Sequence, residues 1–117
     1  MKILVTGGCG FIGSNFVIEQ IRNTDNQILN LDKLTYAGNL ENLKSIEGSP
    51  NYQFVEGDIC DAPLVANTIE TFQPEAIVHF AAESHVDRSI DGPMTFVETN
   101  VIGTATLLNA SKSYLEV

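Results

Sequence analysis

At 117 residues the chain is long enough for one small domain with a modest core and no more. Its formal charge of -9, from 15 acidic and 6 basic residues, argues against a nucleic-acid-binding face and against an anionic membrane surface. A hydrophobic share of 44% marks it as globular rather than disordered, and two cysteines are too few for a disulfide framework.

The chain alternates β-rich runs with helical stretches. Lys2–Thr6 is nearly continuously apolar, as a parallel strand buried on both faces should be. Glycines from Gly7 to Gly10 break it. Phe11 to Arg22 then reads as a helix, with Ile12, Phe16, Ile18 and Ile21 at roughly helical spacing. Asn23–Asn26 is a turn cluster, and Gln27–Leu31 a second strand ending at Asp32. A short helix is expected over Leu40–Ile46 and a third strand over Tyr52–Val55. Pro63–Phe72 reads as a helix with Asp61 at its start and Pro74 beyond its end. Ala76–Phe80 is a fourth strand, and Pro93 to Ser113 reads as one long last helix. This alternation predicts an α/β fold: a Rossmann-type doubly wound parallel sheet in the order 3-2-1-4, with helices on both faces. A ligand should lie over the C-terminal strand ends, near the crossover between strands one and four.

The strongest local signal is Thr6-Gly7-Gly8-Cys9-Gly10-Phe11-Ile12-Gly13. Gly7, Gly10 and Gly13 have the spacing G-x-x-G-x-x-G. The first serves a tight turn, the second close approach of backbone to a pyrophosphate, and the third close helix packing. The N–H groups near Phe11 and Ile12 would then face the phosphates. Glycine spacing alone is weak evidence, but here a strand precedes it, a helix follows, and Asp32 lies about 20 residues further on. A carboxylate there accepts hydrogen bonds from ribose hydroxyls and repels a 2′-phosphate, which favours NAD over NADP; Lys33 is the complicating neighbour.

Gly57-Asp58-Ile59 follows strand three. Asp58 could accept from the adenine amine with Ile59 on the ring, or Asp58 could cap the next helix. After strand four, Phe80, Ala81 and Ala82 would let backbone lie against the cofactor, and Ser84, His85, Asp87 and Arg88 bring polar groups to where substrate would enter. His79, inside an apolar strand, reads as a packed core histidine, and Thr99 and Asn100 could reach back from the last helix. Cys9 and Cys60 read as reduced thiols. With no signal-peptide pattern after Met1 and no apolar run near ~20 residues, the expected location is cytoplasmic.

The glycine run, the Gly57-Asp58-Ile59 segment and the His79-Phe80-Ala81-Ala82 run resemble the extended short-chain dehydrogenase/reductase superfamily. Two longer strings, residues 32–39 and 81–89, are similar to those of the dTDP-glucose 4,6-dehydratase family within it. That resemblance implies NAD as cofactor. It implies Phe11 and Ile12 at the pyrophosphate, with Asp32, Lys33, Leu34 and Thr35 around the adenosine ribose. It implies Asp58 and Ile59 at adenine, and Phe80, Ala81, Ala82 and Ser84 on the nicotinamide side with Thr99 nearby. Ser84, and His85 beside it, would meet the nucleotide-sugar substrate, dTDP-glucose. In the family NAD oxidises the glucose C4 hydroxyl, water leaves across C5 and C6, and hydride returns to C6. The product is a 4-keto-6-deoxy sugar on the route to rhamnose and other deoxysugars. Relatives are typically homodimers. An epimerase or decarboxylase of the same superfamily, or a stand-alone NAD-binding module, are the alternatives.

One family feature is missing from these residues. No Tyr is followed four positions later by Lys: Tyr36 meets Leu40, Tyr52 meets Glu56, and Tyr114 has only three residues after it. The resemblance puts the catalytic Tyr-x-x-x-Lys, the Thr-Asp-Glu acid/base segment and the C-terminal substrate domain beyond Val117. No catalytic residue is therefore assigned within the chain, and general acid–base groups are worth typically 10²–10⁴-fold each. The expectation is an incomplete NAD-binding Rossmann domain over residues 1–117, inactive alone and prone to self-association through the edge of strand four.

Overall fold

Side chains alternate across a strand, so the parity of the apolar residues decides what each face of a sheet can bury. The computed structural model describes residues 1–34, 39–81, 94 and 98–115. Its four strands are Lys2–Thr6 (β1), Gln27–Asp32 (β2), Tyr52–Glu56 (β3) and Ala76–His79 (β4). They pair in parallel in the order β3-β2-β1-β4, the order expected. Among the described residues the complete helices are Phe11–Asn23 (α1), Ala62–Phe72 (α2) and Thr104–Leu115 (α3), with a 3-10 turn at Leu40–Leu43 and a π-helical turn at Glu98–Gly103.

Leu4, Leu29 and Leu31 share one face of the sheet and pack with Val65, Ile69 and Phe72 of α2 and Leu107 of α3. Ile3, Val5 and Ile28 have the opposite parity and pack with Val17 of α1 and with Leu43 and Ile46. In both clusters each fully buried Leu or Ile contributes about 1.5–3 kcal/mol relative to exposure. The even positions of β2 continue past Ile28 to Asn30 and Asp32, which are polar yet buried. They point to the α1 face, under the glycine loop.

Three boundaries differ from the sequence reading. The 3-10 turn stops at Leu43 instead of continuing as a helix to Ile46, and β4 ends at His79 rather than Phe80. The last helix is not uniform: a π-helical turn precedes α3, and Gly103 at their junction packs against Ile59 and Cys60. π turns arise where a helix is locally widened, frequently near functional sites. Pro93 lies outside the described residues, and so does Val117, the position beyond which the resemblance puts the catalytic residues. Among the described residues no helix is long and apolar enough to cross a membrane.

Candidate nucleotide-binding site

The turn after β1 is fixed by two glycines that touch backbone. Gly7 has φ +71°, a conformation that L side chains rarely adopt, and a Cβ there would lie 2.6 Å from the Ala81 nitrogen. Its N–H donates to the Leu31 carbonyl at 2.9 Å. A Cβ on Gly13 would overlap the Gly7 carbonyl oxygen, so α1 is packed directly onto the loop. Gly10 is the N-cap of α1, in extended backbone, and contributes no side-chain acceptor; the first turn holds no acidic residue either. Phe11 and Ile12 in that turn point their side chains outward, 81% and 68% exposed. The N-terminus of α1 therefore carries its partial positive charge without a capping side chain of its own, which suits a phosphate.

The loop is held from below by β2. Asn30 Oδ1 accepts the Gly8 N–H at 2.9 Å, and its Nδ2 donates to Tyr52 Oη at 3.2 Å and to Cys9 Sγ at 3.3 Å. Asp32 Oδ2 accepts the Cys9 N–H at 2.9 Å, while Oδ1 accepts the Leu34 N–H at 2.8 Å. The Cys9 carbonyl takes the Asn39 N–H and the Asn42 side-chain amide. Cys9 is thus fixed at every polar atom, and burial, then the Asp32 charge, push its thiol up to about 12. Such a thiol is inert at neutral pH. Sequence reasoning missed Gly8, Asn30 and Tyr52; the available signal was a lone Asn within the otherwise apolar run Ile28–Leu31.

Asp32, expected to bind ribose, is 8% exposed and already accepts two backbone N–H groups. A carboxylate has about four acceptor sites, so this is compatible with further hydrogen bonds from a ligand. Leu34 follows with φ 59°, its amide tied to Asp32. Lys33 Nζ forms an ion pair with Asp58 Oδ2 at 3.1 Å. Asp58 does not cap the next helix: Asp61 does, accepting from the Leu64 N–H at 3.2 Å. Ile59, expected to pack its side chain on adenine, instead buries it in the core against Gly103, because the chain turns inward there to start α2. Only its backbone remains for a nucleotide contact.

At the end of β4, Phe80 packs its ring on Phe16 with centroids 5.6 Å apart, and its N–H donates to the Thr6 carbonyl. The Ala81 N–H donates to Thr6 Oγ1 at 3.3 Å, which brings Ala81 backbone against Gly7. His79 lies between Thr6 and Thr104, with Nε2 3.0 Å from the Thr104 hydroxyl, and burial lowers its pKa from the ordinary value. It is half-buried and links β1, β4 and α3, a structural histidine. Thr35, Ala82, Ser84, His85, Asp87 and Arg88 lie outside the described residues, as does the side chain of Thr99 in the π-helical turn. Two surface grooves of about 300 and 340 Å³ lie elsewhere, between α2 and α3 and beside β4.

The glycine loop, the strand-two acid and the 3-2-1-4 sheet thus sit where the sequence placed them. A family model described as GDP-mannose 4,6 dehydratase matches residues 4–116. The chain belongs to that family. It is 57% identical over 114 residues to a dTDP-glucose 4,6-dehydratase of Escherichia coli, covering 97% of this chain and 32% of that protein. A dTDP-glucose 4,6-dehydratase of Streptomyces venezuelae, solved with NAD bound, is 50% identical with a TM-score of 0.91, over 97% of this chain and 36% of that one. A UDP-glucose 4-epimerase of Thermotoga maritima is 37% identical with a TM-score of 0.87, over 97% and 35%. The chain therefore spans about a third of the length of the curated relatives it matches.

Proposed function

We propose that residues 1–117 form the N-terminal portion, an incomplete NAD-binding Rossmann domain, of a dTDP-glucose 4,6-dehydratase. The observation that carries this reading is the open N-terminus of α1: a glycine cap, no acidic first-turn residue, and a loop kept in shape by Asn30 and Asp32. It fits a pyrophosphate, which needs backbone N–H donors and no competing carboxylate. Phe11 and Ile12 would donate their amides to the phosphates. Asp32 would accept from the adenosine ribose. Asp58, Ala81 and the segment after it would line the rest. NAD, when bound, supplies hydride acceptance and return.

Among the described residues, the polar groups at this site bind and orient; none is positioned as a general acid or base. The catalytic residues of the whole enzyme would lie beyond Val117. Identity favours the dehydratase over the epimerase reading, at 50% against 37% among the solved structures. In the assembled enzyme the substrate would be dTDP-glucose, met by Ser84 and His85. The enzyme would be a cytoplasmic homodimer serving rhamnose or another deoxysugar. The test is calorimetric titration of the chain with NAD and then NADP. Saturable NAD binding with much weaker NADP binding supports the reading. Binding of neither refutes it for this chain. Turnover of dTDP-glucose by these residues alone would show that catalytic groups have been overlooked.

A further inference from the structure

Three charges lie at the ends of two adjacent strands, at the proposed adenosine end. Asp32 closes β2, Lys33 follows it, and Asp58 follows β3. Asp58 is fixed at both oxygens: Oδ1 accepts the Cys60 N–H at 2.9 Å and Oδ2 meets Lys33 Nζ at 3.1 Å. Burial alone would raise its pKa, but the Cys60 N–H and the Lys33 ammonium outweigh that and hold the carboxyl below its ordinary value, so it is charged at neutral pH. The two side chains are 51% and 35% exposed, and pairs that open are worth about 0–1 kcal/mol to stability. The consequence lies instead in what Lys33 is kept from doing. A cation just past the strand-two acid is where a nucleotide 2′-phosphate finds its partner. Lysine reaches such a partner on a flexible stem, and here the stem is already committed.

We infer that Asp58 is a specificity-determining residue: it holds Lys33 as its ion-pair partner, keeps that cation from a 2′-phosphate, and so selects NAD against NADP. The inference rests on the NAD-binding reading above. It works by withholding a cation from the wrong ligand rather than by adding contacts to the right one. It also differs from the adenine role considered for Asp58. NAD and NADP carry the same adenine, so loss of an adenine contact weakens both equally. Loss of the Lys33 restraint changes their ratio.

The experiment measures dissociation constants of NAD and NADP by calorimetry on the full 117-residue chain, for the wild type, Asp58→Asn, Lys33→Met and the double variant. Asn keeps the shape and an oxygen for the Cys60 N–H while removing the charge. Asp58→Asn is expected to improve NADP relative to NAD by about fivefold at low salt, the upper end for an exposed charge pair. The gain should shrink at roughly 0.5 M salt and be mostly lost in the double variant. The ratio does not depend on what fraction of each variant is folded. An unchanged ratio in Asp58→Asn, equal weakening of both ligands, or a gain undiminished in the double variant overturns the inference while leaving NAD binding intact. A wild type that binds neither ligand overturns both.

Discussion

Two helices in this molecule begin at the same level of chemistry and solve it oppositely. At α2, Asp61 accepts the Leu64 N–H at 3.2 Å and Pro63 occupies the first turn, where its missing N–H is no loss. That helix is complete in itself. At α1, Gly10 offers nothing to the first turn, and the surrounding polar groups serve the loop instead. Asn30 and Asp32 spend their oxygens on the amides of Gly8 and Cys9, fixing the approach to the helix without filling its end. A capped terminus stabilises the fold; an uncapped, rigidly presented one leaves room for an anion. The difference is visible in residue choice alone, since both helices are short and both pack on the sheet.

The largest way to break the contrast is to fill the space the glycines leave. Gly13→Ala puts a methyl into the Gly7 carbonyl, and Gly7→Ala forces a side chain into φ +71° within 2.6 Å of the Ala81 nitrogen. Overpacking costs about 1–3 kcal/mol and the left-handed conformation about 1–2 more. Each variant should lose NAD binding and show a clearly lower urea midpoint. Gly48→Ala is the matched control, because nothing lies within 4 Å of its added Cβ. Equal midpoints for Gly13→Ala and Gly48→Ala would mean that the loop is not held as described.

A smaller effect separates the two termini directly. Gly10→Asp gives α1 the carboxylate that α2 already has, in backbone with φ -75° and ψ 176° that any residue adopts. Stability should change by only a few tenths of a kcal/mol, while NAD binding weakens about tenfold, as expected for an anion placed against the pyrophosphate. Asp61→Ala should do the reverse, costing about 1 kcal/mol of stability and leaving NAD affinity alone. If both variants move the same observable, the division of labour between the termini is wrong.

Much of this was legible in the sequence, and for identifiable reasons. The strands declared themselves as short, mainly apolar runs, Lys2–Thr6 buried over Ile3–Thr6 as a central parallel strand should be, and Ala76–His79 half-buried beside it. Gly7 and Gly13 were readable from spacing because their roles are local to one turn. Asn30 and Tyr52 were not, since Asn30 works at a distance in sequence on Gly8 and Cys9, and Tyr52 supports Asn30 from the neighbouring strand, which depends on strand register. Ile59 was misread for a related reason: a residue just past a strand end faces ligand or core according to where the chain turns next, and here it turns inward beneath Gly103. The π-helical turn gave no local signal at all, because a widened turn is set by what the helix packs against rather than by propensity.

A third helix start offers the finest test. Thr104 opens α3, and its hydroxyl lies 3.0 Å from His79 Nε2, while His79 Nδ1 meets the Thr6 hydroxyl. Neither carboxylate nor open terminus is used here; a neutral imidazole can accept at one nitrogen and donate at the other. Burial holds the folded-state pKa below 6.5, so the unfolded chain takes up a proton first as the pH falls. Stability from the neutral ring is therefore full above 6.5 and declines as the pH drops through 6.5 towards the folded value. Because the ring is only half-buried, the loss should stay below about 1 kcal/mol. Urea midpoints measured from pH 7.5 to 5.5 should fall more steeply for the wild type than for His79→Asn. Parallel profiles would place His79 in water rather than between two threonines, and would remove the link it makes between the sheet and α3.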